Sequence, residues 1–185
     1  DVYKRQMWDF VAGTTTPYTD YMPLGEYEAD GYVQPYCDSP LDGEAVAESA
    51  YLNVLQHARD YVYIVTPYLI VDNEMVTALC LAAKSGVDVR IVTPGVPDKK
   101  VVYRLTRSYY APLLRAGVRI YEYTPGFIHA KSYLSDDTTG VVGTINMDYR
   151  SLYLHFECGT YLYRTPALQA LKADVMDTLA KSREI

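Results

Sequence analysis

The sequence has no excess of basic residues: 17 lysines and arginines stand against 23 aspartates and glutamates, a net charge of −6 over 185 residues. Neutralising phosphates drives nucleic-acid binding, so this balance argues against a dedicated nucleic-acid binder. It also offers anionic lipid no general attraction, so any lipid contact must be local. Cysteine is scarce. Cys37, Cys80 and Cys158 are odd in number and lack metal-ligand or redox spacing. That argues against a disulfide framework and reads as free thiols in a reducing compartment, buried hydrophobes rather than a catalytic cysteine. No apolar run is long enough to span a bilayer; the longest, from Val62 to Val71, is interrupted by Thr66 and Pro67. There is no signal-peptide pattern and no internal repeat. The first residue is Asp1 rather than methionine, so the chain is expected to be a fragment of a longer protein.

What is abundant is tyrosine, with 20 residues. Its apolar body and polar tip suit half-buried strands and interfaces. Residues 1–45 hold Thr14-Thr15-Thr16-Pro17, several glycines and prolines, and no sustained period, which is linker-like. From Glu48 the pattern turns regular. Ala50, Leu52, Val54, Leu55 and Ala58 fit a helix; Tyr61 to Thr66 a strand; Asn73 to Lys84 a helix capped by Asp72 or Asn73 and ended at Gly86. Val87 to Thr93 reads as a strand, Asp98 to Arg115 as a helix ended by Gly117, and Val118 to Tyr123 as a strand. Three strands then follow without helices, His129 to Leu134, Gly140 to Ile145 and His155 to Tyr163, before a last helix from Pro166 to Lys181. This order predicts an α/β fold, a mixed sheet with helices on both faces.

The chemistry gathers on the helix-free strands. In an extended chain, residues two apart share a face, so His129 and Lys131 point at one spot. An imidazole that can attack or carry a proton, beside a fixed ammonium, suits work on a phosphodiester. Thr144 and Asn146 share a face on the next strand and offer neutral donors to phosphate oxygens. Glu157, on the strand after, is expected to accept the His129 Nδ1 proton and orient the ring. Asp136 lies in the Ser135–Thr139 turn, where it reads as a turn residue on its own. His155 shares the face of Glu157 and reads as structural, as does His57. Lys99, Lys100, Arg104 and Arg107 read as a solvated face of their helix, with a lipid-headgroup contact as the sharper alternative.

Taken together, His129-x-Lys131, Asp136, Gly143-Thr144-x-Asn146 and the downstream Glu157 resemble the HKD signature of the phospholipase D superfamily, with threonine where serine is frequent. Flanking runs narrow the resemblance: Tyr32-Val33-Gln34-Pro35, Thr66-Pro67-Tyr68, Thr93-Pro94-Gly95-Val96-Pro97-Asp98 and Asn146-Met147-Asp148-Tyr149-Arg150-Ser151 are similar to the C-terminal half of bacterial cardiolipin synthases. The resemblance implies a phospholipase D-like half-domain over residues 46–185. Residues 1–45 would form a linker and the tail of the preceding half. It implies the catalytic set His129, Lys131, Asp136, Asn146 and Glu157, with Lys131, Thr144 and Asn146 on the substrate phosphate and no metal or cofactor. It further implies a phosphatidylglycerol substrate, a cardiolipin product, a phosphatidyl-histidine intermediate, and His129 as general acid/base before nucleophile. A second HKD half is implied as partner, from a missing N-terminal portion or a homodimer mate. A bacterial membrane location would come through N-terminal segments that this sequence lacks, and no nucleic acid is expected.

Two rivals use the same residues. One is a single-HKD phosphodiesterase, a phospholipase D or nuclease, acting as a homodimer. The other is a half-domain that binds phosphate or a partner without turnover.

Overall fold

A computed structural model describes residues 2–17, 19, 22, 24–25, 30–41 and 43–185. The chain divides into two units, Asp1–Asp30 and Gly31–Ile185. In the first, helix α1 (Val2–Ala12) is followed by a tight exit. There Asp9 accepts hydrogen bonds from the Thr16 amide at 2.8 Å and from the hydroxyls of Thr14 and Thr16 at 3.1 and 2.7 Å.

The second unit is built on an eight-stranded sheet in the order β1-β9-β7-β6-β2-β4-β5-β10. Its strands are β1 (Tyr32–Asp38), β2 (Tyr61–Val65), β4 (Asp88–Pro94), β5 (Arg119–Tyr123), β6 (Ser132–Ser135), β7 (Thr139–Gly143), β9 (Glu157–Tyr163) and β10 (Ser182–Glu184). The β2-β4-β5 core is parallel and every other pairing is antiparallel. Strands β3 (Leu69–Ile70) and β8 (Met147–Asp148) make a separate parallel pair.

Both faces of the sheet are covered, as alternation within single strands shows. In β2, Val62 and Ile64 join the larger core, while Tyr63 and Val65 join the smaller. The larger core packs under α2 (Val46–His57), α3 (Asn73–Lys84) and α5 (Tyr110–Ala116). The smaller lies under α7 (Ala167–Ala180), with Val175 and Leu179 fully or nearly fully buried. The continuous apolar run of β2 is what a strand buried on both faces requires, while β4 alternates polar and apolar residues up to Ile91 and Val92.

Four differences from the sequence expectations have physical causes. Strand β1 lies inside the stretch expected as linker. An edge strand is stabilised by its pairing rather than by its own period, and β1 pairs along its whole length with β9, Tyr32 opposite Tyr163 through Asp38 opposite Glu157. The single helix expected over Asp98–Arg115 is two, α4 (Lys100–Ser108) and α5. Pro112 has no N–H to give the Ser108 carbonyl, so the helix breaks at Tyr109. Helix α6 (Tyr149–Tyr153) was not expected; Asp148 caps it, taking the Ser151 amide at 2.7 Å. The strands expected to start at His129 and His155 start at Ser132 and Glu157.

Candidate active site

Strands β6 and β7 form a hairpin, and the candidate residues lie where it opens. His129 and Lys131 lie just before β6, outside its assigned strand, and the Lys131 carbonyl accepts the Gly143 amide at 3.2 Å. The Lys131 ammonium stands 2.9 Å from Nδ1 and 3.1 Å from Nε2 of His129, and donates to the His129 carbonyl at 2.7 Å. Lys131 is 9% exposed, whereas His129 is open to solvent. Desolvation, followed by the charge of Lys131, holds the His129 pKa below the usual imidazole value. Asp98 pulls it up and Lys99 adds to the depression. Burial also lowers the Lys131 pKa, against the pull of Glu157 and Asp148. The depression favours the neutral ring, which can accept a proton or attack phosphorus.

After β7 the chain is pinned at successive residues. The Thr144 amide donates to the Cys158 carbonyl at 2.9 Å. The Ile145 carbonyl accepts the hydroxyl of Tyr51, from α2, at 2.8 Å, and the Met147 amide donates to Thr66 Oγ1 at 3.1 Å. Tyr51 is itself clamped, 1% exposed, with its ring stacked 4.0 Å from that of Tyr133. Gly143 permits the close approach: a Cβ there would lie 2.3 Å from the Cys158 carbonyl oxygen. Asn146 is thereby fixed in backbone, and its side-chain amide is held by Ser151 of α6 at 2.9 Å. The bond uses one hydrogen of Nδ2 and leaves a second donor on the same nitrogen, while Oδ1 is buried. Helix α6 is anchored from behind by the Tyr153 hydroxyl, which donates to Asp72, the N-cap of α3.

Glu157 opens β9 and does not hydrogen-bond His129. One carboxylate oxygen takes the Thr144 hydroxyl and the other lies 3.4 Å from His155 Nδ1. The orienting role expected of Glu157 on His129 is instead exerted on Thr144. Lys131 is the group that touches the imidazole. His129, Lys131, Thr144, Asn146 and Glu157 all line one open cleft of about 580 Å³, whose far wall is Leu171 and Asp174 of α7.

Asp136 stands apart. Its carboxylate accepts the backbone amides of Arg59, Asp60 and Tyr61 at 2.8, 3.0 and 2.8 Å, and its backbone is left-handed with φ 51°. It closes the far end of the hairpin and ties it to the start of β2. At roughly 3.3 Å per residue, five residues put at most about 17 Å of chain between it and Lys131. The residue expected in the catalytic set does a folding task here: short, polar aspartate tolerates this backbone and satisfies three donors. Cys37, Cys80 and Cys158 are free, partly buried thiols. Among the described residues no three or more His, Cys, Asp or Glu side chains group to hold a metal, and no helix is long and apolar enough to cross a membrane.

Tyr51, Thr66 and Ser151 position the site; Thr66 and Ser151 lie in runs read for their resemblance but are given no role there, and Tyr51 is not singled out from the sequence. Asp148 three residues before Ser151 is a capping pattern that could have flagged Ser151. Nothing local marks Tyr51, because its partner lies 94 residues away.

Comparison with known proteins agrees with this geometry. A family described as cardiolipin synthase, phospholipase D-like domain, matches residues 51–178. An uncharacterised Streptococcus mutans protein is 55% identical over 97% of the chain, and a cardiolipin synthase of a Geobacillus species is 38% identical over 97%. The chain spans 39% and 36% of their lengths, respectively. Among solved structures, the phospholipase D family member Nuc of Salmonella typhimurium superposes with a TM-score of 0.72. That match has 19% identity and covers 84% of this chain and 99% of that one. The phosphatidylserine synthase of Haemophilus influenzae superposes at 0.64 with 15% identity, covering 83% of this chain and 40% of that one. A histidine–lysine pair at the mouth of a sheet that superposes on phospholipase D folds, in a sequence matched over most of its length, gives the family: this chain belongs to the cardiolipin synthase, phospholipase D-like domain family.

Proposed function

We propose that the chain supplies the C-terminal catalytic half of a phosphatidyltransferase that makes cardiolipin and glycerol from two molecules of phosphatidylglycerol. The observation that carries this reading is the Lys131 ammonium within 3.1 Å of both ring nitrogens of His129, at the mouth of an open cleft. The 38% identity to cardiolipin synthases supports the substrate class.

The proposed reaction is a two-step exchange. A histidine nitrogen of one half attacks phosphorus, the bond from phosphorus to the glycerol oxygen breaks, and the other half's histidine gives that oxygen a proton. The same histidine then takes the proton from the hydroxyl of a second phosphatidylglycerol. Its oxygen attacks phosphorus, the phosphorus–nitrogen bond breaks, and cardiolipin leaves. Lys131 offsets the charge on the phosphate oxygens and Asn146 donates to them, while Thr144, held by Glu157, borders the same cleft. His129 is assigned the acid/base role. Its depressed pKa in the free chain suits the proton-accepting step, and a bound phosphate would raise it for the donating step. Asp136 has no part in the chemistry. The second histidine comes from another HKD half, an N-terminal portion or a second copy. The reading needs no metal or cofactor, and places the enzyme at a bacterial membrane through segments outside this sequence. Residues 1–30 would belong to the preceding half; Trp8, Phe10 and Val11 of α1 are 70%, 81% and 82% exposed, as apolar groups that pack on something else would be.

The full reading frame, incubated with phosphatidylglycerol vesicles as wild type and as His129→Ala, tests this by mass spectrometry. Cardiolipin and glycerol from wild type alone are the expected result. A folded wild type that yields phosphatidic acid or cut DNA instead would replace the transferase reading with hydrolase or nuclease.

A further inference from the structure

A second hollow of about 420 Å³ adjoins the reacting cleft and shares Asn146 and Glu157 with it. Its rim carries Lys99 at the start of α4, Arg150 in α6, and His155. Lys99 and Arg150 are exposed and make no ion pair among the described residues. The carboxylates of the hollow are turned to other work. Asp148 is 9% exposed and takes the Ser151 amide, and Glu157 holds Thr144 and faces His155. Asp98 is engaged by the Tyr68 hydroxyl at 2.6 Å, which leaves the Tyr68 ring under the Lys99 ammonium at 5.8 Å. The hollow therefore offers two uncommitted cations and one titratable ring at its rim, over an apolar lining that includes Ile70 and Val102.

We infer that this hollow is the acceptor subsite, binding through Lys99 and Arg150 the phosphate of the phospholipid that receives the phosphatidyl group. The inference rests on the transferase reading above and extends it. In the second step the acceptor is itself a phosphodiester, while Lys131 and Asn146 are occupied by the phosphate being transferred. The acceptor's own phosphate needs a separate cationic seat within reach of the same cleft. A shared wall at Asn146 and Glu157 supplies that reach. Lys99 lines the second hollow, and its charge adds to the depression of the His129 pKa. Arginine and lysine in pairs are apt for a phosphodiester, one as a planar fork and one as a point charge.

The test compares three acceptors in the full reading frame: phosphatidylglycerol, glycerol 3-phosphate and ethanol. The readout is each phosphatidyl product relative to the ethanol product within the same sample, so a partly folded variant does not blur it. Lys99→Met and Arg150→Met are each expected to lower the phosphatidylglycerol-to-ethanol ratio by about tenfold, the loss usual for one charged hydrogen bond. Lys99→Arg is expected to restore most of it. A fall shared by glycerol 3-phosphate assigns recognition to the phosphate itself, and a fall confined to phosphatidylglycerol assigns it to the phosphate as carried by lipid. An unchanged ratio in both methionine variants would overturn the subsite. Absence of transfer from wild type to all three acceptors would overturn the transferase reading, and the subsite with it.

Discussion

The two ends of the β6–β7 hairpin belong to one motif and follow opposite rules. At the turn, every acceptor of Asp136 is committed: three backbone amides converge on one carboxylate, and neighbouring Asp137 takes the Tyr61 hydroxyl and the Lys172 ammonium, each at 2.7 Å. At the open end, groups are left over. His129 is exposed, and the buried Ser132 Oγ and Asn146 Oδ1 have no hydrogen-bond partner. Unsatisfied buried polar atoms are costly, and both of these residues line the cleft. A satisfied end holds the strands in register so that an unsatisfied end can do chemistry.

Substitutions at the two ends should separate accordingly. His129→Ala is expected to lower transfer by the full reading frame at least about a thousandfold, the usual scale for removing a proton-transfer group or nucleophile. The melting temperature of the 185-residue chain should stay put, and a mutant with near-normal turnover would remove His129 from the chemistry. Asp136→Ala should do the reverse: about 3 kcal/mol lost in urea unfolding, from three amide partners at roughly 1 kcal/mol each, with transfer per folded molecule retained. Asp136→Asn, which tolerates the same backbone, should lose less. Loss of turnover in a fully folded Asp136→Ala protein would break the division between the ends.

Tyr51→Phe sharpens the comparison, because Tyr51 serves the chemical end from the core. It leaves the Ile145 carbonyl without its donor, and about 1–2 kcal/mol of stability should be lost with little change in volume. Turnover should fall more than it does for Asp136→Asn. The smallest expected effect is on titration. Desolvation first, then Lys131, depresses the His129 pKa. Neutral His129 should therefore persist to lower pH than an ordinary histidine, and Lys131→Met should move its titration part of the way back up. Histidine C–H resonances followed against pH in the 185-residue chain, which has three histidines, would show this. An unmoved or lower midpoint would mean that the ammonium does not govern the ring.

What could be read from the sequence divides by range. Period and turn chemistry are local, so α2, α3, β2, β4, β5 and α7 and the hairpin were all expected. Spacing of two residues within extended chain was enough to bring His129 to Lys131 and Thr144 to Asn146. What escaped depends on partners far along the chain. The Tyr51 clamp is visible only after folding, and β1 is a strand because β9 accepts it. Helix α6 is too short to have a period and is marked only by its cap. For Glu157 the face was foreseen but not the partner, since proximity on adjacent strands does not say which neighbour a carboxylate will choose.

Strand β1 pairs over its full length at one edge of the sheet, and this bears on how such halves can be exchanged between proteins. A crossover near residue 45 would strand β9 without its neighbour, leaving a long unpaired edge prone to association. A crossover between Asp30 and Gly31 would carry the entire sheet as one cassette. Chimaeras and tandem duplications of this half should therefore tolerate junctions ahead of Gly31 and aggregate when joined after Asp38.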